Sequence, residues 1–135
     1  MKLFTRLSSV ALVCLASAAL AQAPAGYPAD YTAVITAAQK EAKVVIYGST
    51  DTAAASPLIK DFQVLYPGVT VEYNDMNTTE LYNRLISEKA AGGGSGDVLW
   101  SSSMDLQVKL VNEGYALTYA SPEAAKMPQW AVWKN

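Results

Sequence analysis

Two short runs of hydroxyl-bearing residues carry most of the chemistry that this chain offers: Gly48-Ser49-Thr50-Asp51 and Ser101-Ser102-Ser103. Each follows an apolar stretch suited to a β-strand, Val44 to Tyr47 in one case and Val98 to Trp100 in the other, and each precedes a helical pattern. Serine and threonine supply hydroxyls, and the first turn of a helix supplies outward-pointing N–H groups. Together these suit an anionic or polar oxygen ligand, because the donors need no counter-charge of their own. In an open α/β sheet such turns converge outside the carboxyl ends of the strands if the strands are neighbours. The same residues also serve as helix caps and turns, which is the plainer use of their side chains. Ser49, Thr50, Asp51, Ser101, Ser102 and Ser103 are thus the candidate ligand-binding residues, with no catalytic residue and no metal ligand assigned among them.

Other residues fit weaker chemistry. Asp51, Asp97 and Asp105 could ligate a metal or could cap and face solvent; Tyr47 and Trp100 end the two strands and could stack on a ligand or fill the core. Gly92 to Gly96 has the composition of a phosphate cradle, but it precedes a strand instead of following one, so it is expected to be a turn. With no histidine in the chain, and its single cysteine, Cys14, in the leader, the commonest nucleophile and base pairings are missing. An exported serine hydrolase would need Asp105 or Lys109 as its base, which makes a binding protein the better fit.

The elements that must position these turns can be followed along the chain. Lys2 and Arg6, an apolar run from Leu7 to Leu20 and the small-x-small site Ala19-Leu20-Ala21 make residues 1–21 a cleavable signal peptide. Val13 before Cys14 is too large for the usual lipoprotein site. Removing Lys2 and Arg6 leaves 8 basic against 12 acidic residues, a net charge of −4 without like-charge runs, which disfavours nucleic acid as a partner. Residues 22–29 form a proline-bearing flexible arm. Helices are expected over residues 31–42 behind Asp30, from about Thr52 to Leu65, from Thr78 to Ala91, and after Ser103 as far as Gly114. Within them Leu58, Phe62 and Leu65 form one apolar side, Leu81, Leu85 and Ile86 another, and Glu80 and Arg84 stand four apart as a surface pair. Pro57 makes Ser56-Pro57 the better start for the second helix. Strands are expected at 43–47, 69–73 and 97–100, with a short extended piece at 116–119 and a helical turn after Ser121-Pro122. The alternation gives an α/β layer with a parallel sheet and helices on both faces; if the first strand lies in the middle, the two hydroxyl turns converge at one edge.

The series Lys43 to Asp51, Pro57 to Phe62, Tyr66-Pro67-Gly68-Val69, Gly96 to Ser102 and Val111 to Tyr115, in this order behind a signal peptide, resembles the first part of ABC-importer substrate-binding proteins of the iron(III)-type branch. The resemblance covers residues 30–135. It implies a periplasmic-binding-protein-like type II half-lobe, incomplete here, with residues 30–135 the N-terminal part of a first lobe and the second lobe absent. It implies a non-enzymatic periplasmic protein, monomeric when complete, that hands a ligand to an ABC permease in the inner membrane and carries no cofactor. Ferric-binding members use a histidine in the first turn and a glutamate after the third strand. Asp51 and Ser102 stand at those positions here, so the resemblance implies a phosphonate, sugar phosphate or carboxylate, with ferric ion as the alternative. A fragment without function is the remaining alternative.

Overall fold

The computed structural model describes residues 23–94 and 96–131. The signal peptide, its cleavage site, Cys14 and Trp133 lie outside the described residues. Among the described residues no helix is long and apolar enough to cross a membrane.

Seven regular elements follow in the order α1 (Tyr31–Glu41), β1 (Lys43–Gly48), α2 (Thr52–Leu65), β2 (Thr70–Asp75), α3 (Thr78–Ala90), β3 (Val98–Trp100) and α4 (Met104–Asn112), and two 3-10 turns, Pro122–Lys126 and Gln129–Ala131, come after them. The strands form one parallel sheet in the order β2-β1-β3. Because β2 and β3 flank β1 on opposite sides, right-handed crossovers place α2 and α3 on opposite faces. The expected α/β architecture is therefore present, with the first strand central.

Local chemistry explains most boundaries. Ala42, with φ of 62°, turns the chain out of α1 straight into β1, and its N–H donates to the Ala38 carbonyl at 2.9 Å. Asn77 and Glu80 form a capping box at α3: the Asn77 side chain accepts from Glu80 N at 3.0 Å, and Glu80 Oε2 accepts from Asn77 N at 3.1 Å. Gly114, at φ 78°, ends α4. Asp30 and Ser103 occupy the expected cap positions but make no side-chain cap bond.

The structure corrects several expectations. Helix α2 begins at Thr52, not at Ser56, and holds Pro57 in its sixth position. The missing Pro57 N–H strands only an exposed carbonyl, Ser56 Oγ donates back to Thr52 O at 2.8 Å, and Asp75 secures the helix start from outside the segment. The inward face of α2 is Ala55, Ile59 and Phe62; Leu58 and Leu65 are exposed. Glu80 is taken by its capping box, so Arg84 pairs with Glu88, at 2.8 Å, on the next turn instead. Ile86 is only half-buried. Residues 116–119 pair with no strand.

The core is thin. Ile35, Tyr47, Ala55, Val69, Leu81, Leu85 and Leu110 are its buried apolar residues. Tyr47 answers the choice between ligand stacking and packing: its ring is buried under α3, its hydroxyl donates to Glu88 Oε2 at 2.7 Å, and the Arg84 guanidinium lies 4.4 Å from the ring centre. Burial, then the Glu88 bond, pushes the Tyr47 hydroxyl pKa up.

Candidate functional site

The carboxyl ends of all three strands share one rim of the sheet. Register brings Gly48 opposite Asp75 of β2 on one side and opposite Trp100 of β3 on the other. The two hydroxyl turns, some fifty residues apart in sequence, therefore become neighbours. Ser49 Oγ lies 3.4 Å from Ser101 Oγ, and Ser49 N donates to the Trp100 carbonyl at 2.9 Å.

Each turn is held from below. At Gly48 a Cβ would overlap the Tyr73 side chain, so the absence of a side chain there lets Tyr73 cross the end of β1. The Tyr73 hydroxyl donates to the Thr50 carbonyl at 2.5 Å, and its ring meets Trp100 edge to face at 6.0 Å. Burial raises the Tyr73 pKa, which keeps the hydroxyl a donor. On the other side Gln107 Nε2 donates to the Ser101 carbonyl, while Ser101 Oγ accepts from Ser103 N at 3.2 Å. Tyr73 and Gln107 thus fix the two turns through their backbones.

Not every donor expected at the rim faces outward unengaged. The α2 N-terminus already holds a carboxylate of the chain itself: Asp75 Oδ2 accepts from Thr52 N at 2.9 Å and from Thr52 Oγ1 at 3.0 Å. Asp51, at the cap position of α2, makes no side-chain cap bond and is exposed. Ser102 is exposed, whereas Ser49, Thr50, Ser101 and Ser103 are half-buried. The rim is an open shelf; neither the hollow between α1 and α2 nor the groove beside β3 is lined by these six residues.

Asp97 sits at the opposite end of the sheet, where its carboxylate accepts from Val45 N and its own N–H donates to Val45 O, both at 2.8 Å. It pins β3 to β1. Among the described residues no group of three His, Cys, Asp or Glu side chains is placed to hold a metal ion.

Tyr73, Asp75 and Gln107 were not singled out by sequence. For Asp75 a signal existed: in an all-parallel sheet the end of the second strand must reach the same rim as the first and third. Reading that strand as ending at Tyr73 hid it.

No protein-family model matches the chain, and no curated protein matches it. Among solved structures, the substrate-binding protein of an ABC transporter from Agrobacterium tumefaciens is similar at 44% sequence identity with a TM-score of 0.64, covering 67% of this chain and 27% of that one. The chain thus spans about a quarter of that neighbour's length. Identity at this level, in a chain with the same parallel α/β arrangement, reflects common descent and not fold alone. Over the matched residues, this chain belongs to the substrate-binding proteins of ABC transporters.

Proposed function

We propose that this chain contributes one wall of an extracytoplasmic solute-binding site that captures a small anionic or polar ligand and delivers it to an ABC permease in the inner membrane, without turnover. The family relationship supports the general role. The observation that carries the ligand site is the meeting of the two hydroxyl turns, Ser49 beside Ser101, at the rim where the three parallel strands end. Ser49, Thr50, Asp51 and Ser101 to Ser103 are its proposed contacts.

Magnitudes set the limits of such a shelf. A hydrogen bond to a charged group contributes about 1.5–3 kcal/mol and an exposed helix N-terminus about 0.3–1, whereas micromolar affinity takes about 8 kcal/mol net of association costs. With Asp75 occupying the α2 terminus, the amides opening α4 and the serine hydroxyls carry most of the attraction for an anion. A chain of this extent is therefore expected to bind weakly, and a wall closing from the opposite side would supply the rest.

The test is an amide chemical-shift titration of the mature chain with inorganic phosphate and, in parallel, with a simple alkylphosphonate. Shifts concentrated at residues 49–51 and 101–103 support the site. Equal, scattered shifts over the surface, or none at about millimolar ligand, overturn it.

A further inference from the structure

Away from the rim, the chain ahead of α1 makes two successive turns: Tyr27 N donates to Pro24 O at 3.2 Å and Tyr31 N to Pro28 O at 3.0 Å. Gly26, at φ 88°, allows the first turn, and the Pro28 ring fixes φ at the start of the second. The turns set Tyr27 against Tyr31, the first residue of α1, edge to face, with ring centres 4.6 Å apart and planes at 74°. That separation is at the close end of the range of about 4.5–7 Å for aromatic pairs, so the edge of one ring touches the face of the other. Among the described residues the other aromatic pairs are Phe62 with Tyr66 and Tyr73 with Trp100; this pair alone joins two phenols. Both rings are half-buried and so remain open to solvent on one side.

The surroundings suit the loss of an electron. The Glu123 carboxylate accepts from the Tyr27 hydroxyl and pushes its pKa up to about 12, so the phenol is neutral and its proton already faces a base. Glu123 is held in place: Ser121 Oγ accepts from its N–H at 3.2 Å, and Lys126 Nζ lies 2.8 Å from its Oε2 and keeps the carboxylate ionised. Burial, then the Tyr119 and Tyr66 phenols, pushes the Tyr31 pKa up as well. A phenol is oxidised more readily when a positioned base takes its proton as the electron leaves. The described residues include no cysteine, so a covalent tie within them must use other side chains.

We propose that Tyr27 and Tyr31 form an oxidative modification site, at which a peroxide-driven one-electron oxidant couples the two rings into a dityrosine, with Glu123 taking the Tyr27 proton. Each phenol loses one electron and one proton. The two radicals join through a new C–C bond between ring carbons adjacent to the hydroxyls, and the hydrogens on those carbons move to the phenol oxygens, which restores both rings. One hydrogen peroxide, acting through an oxidant of the haem-peroxidase class, takes up the two electrons and two protons and leaves as two waters. The product staples the segment ahead of α1 to the first turn of that helix. The inference does not rest on the ligand shelf, so the two fail independently.

The experiment treats the mature chain with a haem peroxidase and equimolar hydrogen peroxide, isolates the monomer, and reads dityrosine by its fluorescence and by peptide mass mapping. The expected monomer has lost a pair of hydrogen atoms, with the new bond inside the tryptic peptide that ends at Lys40. Tyr27→Phe and Tyr31→Phe keep the rings and their packing; each is expected to lower monomer dityrosine at least about tenfold, because other tyrosines lack the effective concentration of a partner held in contact. Glu123→Gln is expected to slow coupling about tenfold at neutral pH by removing the proton acceptor. No dityrosine in the monomer, a bond mapped to other tyrosines, an unchanged yield in Tyr31→Phe, or an unchanged rate in Glu123→Gln would each overturn the proposal.

Discussion

At the residue scale, the rim is governed by side chains that secure backbone. Asp75 caps a helix to which it does not belong, accepting from both the N–H and the hydroxyl of Thr52. Asp75→Ala should cost about 1 kcal/mol, the ordinary value of a lost cap, read as a lower urea midpoint together with faster exchange at Thr52. For the proposed ligand, Ser102→Glu should weaken phosphate binding about fivefold, since two like charges near 4 Å in water repel by about 1 kcal/mol. Unchanged affinity would argue against Ser102 as a contact. The Tyr47, Arg84 and Glu88 cluster gives stability a pH dependence. Arg84 and then Tyr47 hold the Glu88 carboxyl below its usual range, so this contribution is present at neutral pH and is lost as pH falls through the acid range. The Tyr47 hydroxyl is pushed up, so its contribution is complete below the usual tyrosine value and is lost as pH rises beyond it. Tyr47→Phe should flatten both limbs of a plot of urea midpoint against pH.

At the element scale, α2 shows where sequence rules compete. Proline inside a helix removes a bond and crowds the preceding turn, and that rule favours a start at Ser56. The folded chain starts the helix four residues earlier because Asp75, distant in sequence, satisfies Thr52. Pro57→Ala should accordingly stabilise the chain by about 1–3 kcal/mol, measured by denaturant unfolding. Helices and strands with local signatures were legible: the start of α3 at Thr78, the stop at Gly114, the continuous apolar run of β1. The Asn77 and Glu80 capping box was missed, because Glu80 was read as a partner of Arg84. The shared rim was legible too, because parallel connections and one central strand bring the 49–51 and 101–103 turns together. What else escaped was nonlocal. Asp75 and Gln107 act through partners in other elements, and the exposure of Leu58 and Leu65 follows from which side of α2 meets the sheet, which helical spacing alone leaves open.

At the scale of the whole molecule, three strands and a thin core hold a surface that includes Leu58, Val64, Leu65, Leu117 and Trp130 in largely exposed positions. A domain that buries so little is marginal, and its stability is uneven. Amides of β1, bonded on both sides, should exchange slowest; those of residues 115–131, outside the sheet, should exchange fastest. A uniform exchange profile would contradict this gradient. Near the chain's N-terminal arm the Glu123 carboxylate beside Tyr27 pushes the tyrosine pKa up to about 12.

The central position of β1 also sets a timetable. A parallel sheet has no hairpin from which to start, and every rung of this one joins residues at least 27 positions apart, as Lys43 with Thr70. The contiguous unit of β1, α2 and β2 can close as soon as residue 75 is available, while β3 must wait for about twice that span and arrives with only three rungs and the Asp97 clasp. Chain synthesis therefore leaves one flank of β1 unzipped for longest, and that flank is the one through which the second hydroxyl turn reaches the first.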